Sequence, residues 1–282
     1  MNSTLSTSCA AVSAFFLLLG TGEAHAESSA EPALTATTNI NLLSQYRFRG
    51  IDQTWGRPAV QGGVDVSLPQ GFYAGLWASN ISGNSYPGGN LELDYYAGYN
   101  GKLGDDVTFT VGGYGYWYPG ANYDKAACPS AAYAAPCALP SQDMNTFEVN
   151  GGVTWRWFSY KLSVSATDYF GANTSTGYSR NTRGTLYHDL TATWPVTGSL
   201  SLTGHVGRTD VHGSYGTINP DYTDWRVAIA QTFEGGWNAS IAAVGASNDT
   251  MYGPPTGGLS AANGDTRELN RPVFVLQVGR VF

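Results

Sequence analysis

The chain has 282 residues, of which 12% are charged and 13% aromatic, with 36 glycines and a formal net charge of -7. The negative charge and the absence of a basic block argue against nucleic acid as a partner. So few charged residues beside so many aromatics and glycines are unlike a disordered chain or an ordinary helical enzyme.

The first 26 residues are predicted to be a cleaved secretory signal peptide. The short apolar run "CAAVSAFFLLLG" precedes "AHA", a small-residue cleavage site. Residues 27–38, "ESSAEPALTATT", are expected to form a flexible periplasmic lead-in. No later segment has the 18 or more apolar residues of a membrane helix, so a membrane-spanning form of residues 39–282 must be a single closed β-barrel domain.

Residues 39–49 begin a series of segments in which apolar and polar residues alternate, as in strands whose two faces meet different surroundings. In this first segment Tyr46 and Phe48 are predicted to face lipid, and Arg47 and Arg49 to face the lumen. Eleven similar segments bring the predicted number of strands to twelve. They are residues 59–68, 71–80, 91–100, 106–118, 145–157, 159–169, 184–194, 199–210, 222–233, 236–247 and 272–282.

The connections between these segments alternate between short and long along the chain. The short ones include "LPQG", "PVTGS" and "EGG", and the long ones include residues 119–144 and 248–271. This alternation predicts an all-β, transmembrane, antiparallel up-and-down barrel with short periplasmic turns and long extracellular loops. A soluble β-sandwich, the alternative, has no reason to place every long loop at one end.

Aromatic residues close both ends of several predicted lipid-facing rows. Phe147 and Trp155 bracket one row, and Trp225 and Phe233 bracket another. Eight residues of tilted strand span on the order of 20 Å, close to the apolar band between two aromatic girdles. The final strand ends on Phe282 and resembles the assembly signal of bacterial outer-membrane barrels. We therefore expect outer-membrane lipid and the barrel-assembly machinery as partners, and the outer membrane as the location.

Several blocks of the sequence resemble the TorF porin family. They are "YRFRGIDQTWGRPAVQGG", "FYAGLWASN", "LELDYYAGYNG", "YPGA", "TDYFG", "LYHDLTATWP" and "DYTDWRVAIAQTFEGGW". Asp52 stands where the family more usually has Ser, within a loop. The resemblance implies an outer-membrane barrel with an inferred channel activity and an unsettled substrate.

Twelve strands place the barrel between small barrels filled by side chains and large barrels with an aqueous channel. The inward phase supplies charged residues that could set ion selectivity, although each could instead be a salt-bridge partner inside the barrel. We predict a narrow channel for passive diffusion of small polar or ionic solutes, with no cofactor and no metal. The candidate channel-lining residues are Arg47, Arg49, Asp65, Glu92, Asp94, Glu148, Arg156, Lys161, Asp189 and Arg226.

Two other functions stay open from the sequence. A lipid-modifying barrel enzyme would need a nucleophile and a base near the outer leaflet. His188 and His212 have no obvious carboxylate-backed nucleophile in the sequence, and His205 is expected to be a polar residue of the lumen, so the prediction is that the protein is not an enzyme. A closed structural or adhesive barrel would act through its loops. Cys128 and Cys137, in the loop of residues 119–144, are predicted to form a local disulfide because the protein is exported.

Overall fold

The computed structural model describes residues 34–126, 139–253 and 267–282. Within these ranges, twelve strands close into one antiparallel barrel. The barrel strands are β1 (Thr35–Leu43), β4 (Ala59–Ser67), β5 (Phe72–Asn80), β6 (Leu91–Lys102), β7 (Val107–Trp117), β8 (Thr146–Trp155), β9 (Phe158–Ser165), β10 (Leu186–Pro195), β11 (Leu200–Asp210), β12 (Tyr222–Thr232), β13 (Trp237–Ala246) and β14 (Val273–Val281). Two further strands, β2 (Arg47–Phe48) and β3 (Ile51–Asp52), form a separate hairpin.

The barrel has up-and-down topology, which confirms the predicted architecture. From β4 to β14 every strand pairs with its neighbour in the chain, and β1 pairs with both β4 and β14 to close the sheet. The closing seam is antiparallel and runs from Asn39 opposite Val281 to Leu43 opposite Gln277. Full closure leaves no exposed sheet edge, which a spanning barrel requires.

The connections divide the barrel into two ends. We call the end with the tight connections the short-turn rim and the opposite end the long-loop rim. Two of the tight connections contain the 3-10 turns Pro69–Gly71 and Glu234–Gly236. Gly71 has φ +97°, and a Cβ there would collide with the backbone carbonyl of Asn100 on β6. Only glycine therefore fits this turn without displacing the next strand.

The long-loop rim carries the remaining short helices of the described residues. They are the 3-10 turns Tyr123–Lys125, Tyr169–Gly171 and Thr174–Thr176 and the α-helix Asp249–Tyr252. Among the described residues, no helix has the length and apolar character that crossing a bilayer would require.

The outer face of the barrel is an apolar band, as the period-two pattern predicts. Val149 and Val153 on β8 and Val227 and Ile229 on β12 point outward and are exposed. Exposed aromatics mark the short-turn rim, and they include Phe72, Trp155, Phe158, Trp194, Phe233, Trp237 and Phe282. An apolar band bordered by aromatic side chains is typical of the outer surface of a transmembrane β-barrel.

The first strand differs from its predicted span of residues 39–49. β1 begins at Thr35, where it pairs with Ser67 of β4, so residues 35–38 belong to the barrel and not to a flexible lead-in. It ends at Leu43, and the chain then leaves the sheet. The predicted signal peptide, residues 1–26, lies outside the described residues, as do Cys128 and Cys137.

Candidate functional site in the barrel lumen

Residues 44–55, here called the inserted segment, enter the lumen from the long-loop rim. Its hairpin turns at Arg49 and Gly50, which have φ +47° and +78°, and Phe48 pairs with Ile51 across this turn. Two successive residues with positive φ make the tight, primed type of hairpin turn. Because the chain reverses here, the inserted segment lies away from the barrel wall. The first barrel strand therefore ends before the predicted end at residue 49.

Tyr46 and Phe48 are therefore inside the barrel, and the prediction that they face lipid is wrong. Their exposed fractions are 2% and 7%. The Tyr46 ring meets Trp77 edge-on at a centroid distance of 5.6 Å, and the Phe48 ring meets Tyr116 at 5.3 Å and Phe170 at 5.8 Å. Aromatic contacts of this geometry add stabilisation beyond the burial of area. The inserted segment is packed into the upper lumen like part of a protein core.

Arg49 fastens the tip of the inserted segment to the wall. Its guanidinium donates two hydrogen bonds to the Glu148 carboxylate, at 3.0 and 2.7 Å, and a third to the Tyr169 hydroxyl at 3.2 Å. It also lies 3.9 Å from the centroid of the Tyr187 ring. Both partners of the ion pair are almost fully buried. Arg49 and Glu148 thus neutralise each other, and their main role is to hold the segment.

Arg47 fastens the base of the same hairpin to the loop before β14. Its guanidinium donates hydrogen bonds to the carbonyl oxygens of Gly50 and Leu269 and to the side-chain oxygen of Gln45. Asp52 lies 3.8 Å away and accepts a 2.8 Å hydrogen bond from Arg267. Burial lowers the pKa of Arg47 to about 10, so the side chain stays protonated at neutral pH.

Three predicted channel-lining carboxylates lie on the inner face of β4–β7, together with tyrosines. We call this face the tyrosine wall. Tyr96 donates to Asp65 at 2.5 Å and Tyr114 donates to Asp94 at 2.9 Å. In the same manner the Tyr118 hydroxyl, just beyond β7, donates to Glu92 at 2.8 Å. Glu92 and Asp94 are fully buried, so phenol groups and not bulk water surround these carboxylates.

Inward-facing glycines give the tyrosine rings room to lie along the wall. A Cβ on Gly75 would collide with the ring of Tyr96, and a Cβ on Gly112 would lie 2.7 Å from the Tyr73 hydroxyl. The Tyr96 ring is held in this position because it stacks on Tyr114, with centroids 5.0 Å apart and planes 5° apart. The glycines and tyrosines together fill this side of the lumen with side chains.

A cavity of about 260 Å³ lies beneath the inserted segment, against the other side of the barrel. Leu43, Tyr46, Phe48 and Arg49 line its upper end. Its sides are formed by the inner face of β8–β13, here called the hydroxyl wall, which carries many small polar residues. The hydroxyl-bearing residues among them are Thr154, Ser159, Thr191, Thr193, Ser201, Thr203 and Ser240.

His205 anchors an ionic cluster on the hydroxyl wall. Its two ring nitrogens lie 3.1 Å from the Asp189 carboxylate and 2.9 Å from the Asp224 carboxylate. The hydroxyl groups of Tyr187 and Thr191 are also within hydrogen-bonding distance of the ring, at 3.2 and 2.9 Å. The sequence identifies His205 as inward-facing, but its two carboxylate partners come from different strands.

Lys161 and Arg226 are on the same wall as this cluster. Lys161 lies opposite Asp189 in the β9–β10 register, and Arg226 lies opposite His205 in the β11–β12 register. Asp189 is bound to His205 and to the Thr191 hydroxyl. Within the described residues, Lys161 makes no hydrogen bond and no ion pair shorter than 4 Å.

The ten predicted channel-lining residues thus separate into groups. Arg47, Arg49, Lys161, Asp189 and Arg226 line the cavity. Asp65, Glu92 and Asp94 lie on the tyrosine wall, and Glu148 is bound to Arg49. Arg156 is an exception, and its predicted lumen position is wrong.

Arg156 is in the tight turn between β8 and β9. Its φ is +54°, and its half-exposed side chain pairs with Asp106 of the neighbouring turn at 3.4 Å. β8 ends at Trp155, so the chain is already reversing direction at position 156. The alternation of inward-facing and outward-facing side chains along β8 therefore does not extend to Arg156.

The histidines considered for lipid chemistry have other partners. Nδ1 of His188 lies 2.8 Å from the Tyr160 hydroxyl, and Asp210 is 3.8 Å from its Nε2. His212 contacts the Arg183 carbonyl and the Arg180 guanidinium. In the part of the chain that the structure describes, no Ser, Thr or Cys side chain hydrogen-bonds to either ring. No set of three or more His, Cys, Asp and Glu side chains in that part is arranged as a metal site.

A closed antiparallel barrel of twelve strands, apolar outside and polar but partly filled inside, has the fold of an outer-membrane porin. The chain belongs to a family described as "Bacterial protein of unknown function (Gcw_chp)", whose model matches residues 26–282. The description of this family does not include the TorF name, so the TorF resemblance stays a prediction. No curated protein matches the chain in sequence.

Solved structures with a similar fold are porins and channels. The NanC porin is 10% identical, with a TM-score of 0.51, over 88% of this chain and 98% of that one. A KdgM porin in complex with disordered oligogalacturonate is 8% identical, with a TM-score of 0.48, over 88% and 98% of the two chains. The COG4313 outer membrane channel from Pseudomonas putida F1 is 14% identical, with a TM-score of 0.41, over 92% and 100%. At these identities the NanC likeness supports the fold alone.

Proposed function

We propose that this protein is an outer-membrane channel for the passive diffusion of small polar or ionic solutes. The observation that carries the proposal is the cavity along the hydroxyl wall, whose lining includes many small hydroxyl side chains. At its lower end, Thr154 and Ser159 pair one residue before the β8–β9 turn, so the polar lining extends from the inserted segment to the short-turn rim. Small hydroxyl side chains replace part of the hydration of a passing solute and leave space for water.

The inserted segment sets the bore of this channel. It packs against the tyrosine wall through Tyr46 and Phe48, so that side of the lumen is closed to solutes. The path for solutes runs along the hydroxyl wall, past the Arg49–Glu148 ion pair at the narrow point. A twelve-stranded barrel with such an insertion is a narrow, size-limited channel.

The C-terminal strand supports the proposed location and the proposed assembly partner. Phe282 is exposed on the outer face at the short-turn rim. The Arg280 guanidinium lies 4.7 Å from its ring and 5.4 Å from the Trp237 ring, and it donates a hydrogen bond to the Gly235 carbonyl. Arg280 thus extends to the polar rim while its stem covers aromatic surface. We propose that the protein lies in the outer membrane and that the barrel-assembly machinery recognises this strand.

Planar-bilayer recording tests the channel. The purified full chain is compared with a variant in which residues 45–54 are replaced by a Gly-Ser linker of equal length. We expect small, discrete current steps from the native chain and steps several times larger from the variant. A matched control replaces residues 213–217, in a loop of the long-loop rim, with Gly-Ser and should leave the step size unchanged. Absence of current from both the native chain and the linker variant refutes the channel.

A closed structural barrel is the second candidate, because the aromatic cluster fills the upper lumen around Tyr118 and Trp77. A closed barrel would give no current from the native chain and current only after removal of the inserted segment. The same recording therefore separates the two functions.

A further inference from the structure

Within the described residues, most charged groups at the cavity make a hydrogen bond or an ion pair, and Lys161 makes none shorter than 4 Å. Arg49 is bound to Glu148, His205 is bound to Asp189 and Asp224, and Arg47 is bound to the loop before β14. Lys161 faces the same cavity, and the carboxylate opposite it in the strand register is bound to His205. Removing a charge from bulk water without a partner is unfavourable. The opposite charge nearest to Lys161, Asp189, lies beyond 4 Å and is shared with His205, so the ammonium group of Lys161 is placed to bind an anion that enters the cavity.

Hydroxyl groups that have no side-chain hydrogen bond among the described residues line the same cavity as Lys161. The side chains of Thr154, Ser159, Ser201 and Ser240 line the cavity and make no side-chain hydrogen bond to any described residue. Each hydroxyl can donate one hydrogen bond and accept others. Together they can bind the hydroxyl groups of a polyol or sugar. Arg226, on β12, adds a second positive charge to the wall.

The volume of the cavity limits the ligand to a small molecule. At about 260 Å³ it is below the roughly 300–1,000 Å³ of pockets that hold drug-sized ligands. One sugar ring with a single acidic group is the largest solute of this chemistry that we expect the cavity to accommodate. A longer chain would have to displace the inserted segment.

We propose that the cavity is a binding site for a small, polyhydroxylated solute that bears a carboxylate, with Lys161 binding the carboxylate and the hydroxyl wall binding the hydroxyl groups. This inference rests on the proposed function, because it names the solute class of that channel. Binding precedes release toward the short-turn rim, and no bond of the solute is changed.

Calorimetry with the detergent-purified full chain tests the site, using D-glucuronate and D-glucose as a matched pair that differs only in the carboxylate. We expect glucuronate to bind more tightly than glucose. Lys161→Met should weaken glucuronate binding by about 10- to 100-fold, the range spanned by one charge-assisted hydrogen bond, and leave glucose binding unchanged. Lys161→Arg should retain most of the preference, and Arg156→Met, in an exposed turn, should bind like the native chain.

Equal binding of the two sugars, or native-like glucuronate binding by Lys161→Met, overturns the inference. If Lys161→Met fails to fold, competition of chloride with glucuronate on the native chain gives the same information, since a cation-based site loses affinity as chloride rises. Calorimetry requires no transport. Binding without current would refute the channel and retain the site, whereas current without a preference for glucuronate would refute the site alone.

Discussion

The tyrosine wall and the hydroxyl wall are two halves of one lumen, built with the same alternation of inward and outward residues. On the tyrosine wall each carboxylate meets a phenol, as Asp94 meets Tyr114, and glycines such as Gly75 allow the rings to pack. On the hydroxyl wall small side chains such as Ser201 and Ser240 leave a cavity, and Lys161 has no close partner in the described residues. Alternating polar residues that face inward are therefore compatible with a filled lumen and with a solvent-filled path. The size of the inward-facing side chains decides which of the two forms.

The position of the inserted segment follows from this difference between the two walls. The segment packs against the tyrosine wall and covers only part of the cavity at the hydroxyl wall. Its buried rings and its bidentate ion pair hold it as firmly as a core element. The predictions below test this contrast, beginning with the largest expected effect.

Replacing Arg49 by Met should lower the free energy of unfolding by about 3–5 kcal/mol, because it leaves the buried Glu148 carboxylate unpaired. Denaturant titration in detergent micelles, followed by the loss of the heat-modifiable band, measures the change. The double variant Arg49→Met with Glu148→Met should recover much of the loss, since no charge is then left unpaired. A single variant as stable as the native chain would show that the ion pair does not hold the inserted segment.

Replacing Gly75 by Ala should cost about 1–3 kcal/mol, because the added methyl group collides with a Tyr96 ring that stacking and the Asp65 hydrogen bond hold in place. Gly204→Ala is the matched control. It also lies within a strand, but a Cβ there meets open space, so its stability should stay close to native. Equal stability of the two variants would contradict the packed character of the tyrosine wall.

Replacing Arg156 by Ala should change the free energy of unfolding by only about 0–1 kcal/mol, because its ion pair with Asp106 is exposed to solvent. Since the side chain is outside the lumen, reversal potentials in a salt gradient should be the same for this variant and the native chain. A shift in ion selectivity would show that the Arg156 side chain lies on the path of the conducted ions.

Most of the wall could be predicted from the sequence. Period-two alternation identified all twelve barrel strands, and the alternation of loop lengths identified the two rims. The same rule failed for residues 44–49. An apolar phase containing Tyr46 and Phe48 fits a lipid-facing strand and a buried hairpin equally well. The signal that could have separated them is the Arg-Gly pair at 49–50, a weak form of the tight-turn dipeptides.

The partners of the lumen charges could not be predicted. Arg49 and Glu148 are 99 positions apart, and they meet only because the inserted segment crosses the lumen toward β8. His205 receives carboxylates from two other strands. These pairings depend on the register and curvature of the closed barrel. The alternation of apolar and polar residues along the sequence gives no information about either. The difference between the charges that bind each other and Lys161, which makes no hydrogen bond or ion pair shorter than 4 Å in the described residues, therefore required the structure.

Single-channel conductance of the native chain, recorded beside the linker variant of residues 45–54, tests the central claim most directly. We expect small discrete steps from the native barrel and larger steps after the segment is replaced, because the hydroxyl wall conducts and the segment narrows the lumen. Steps of the same size from both proteins would contradict the position of the segment at the constriction. Silence from both would show that the hydroxyl wall encloses no path through the barrel.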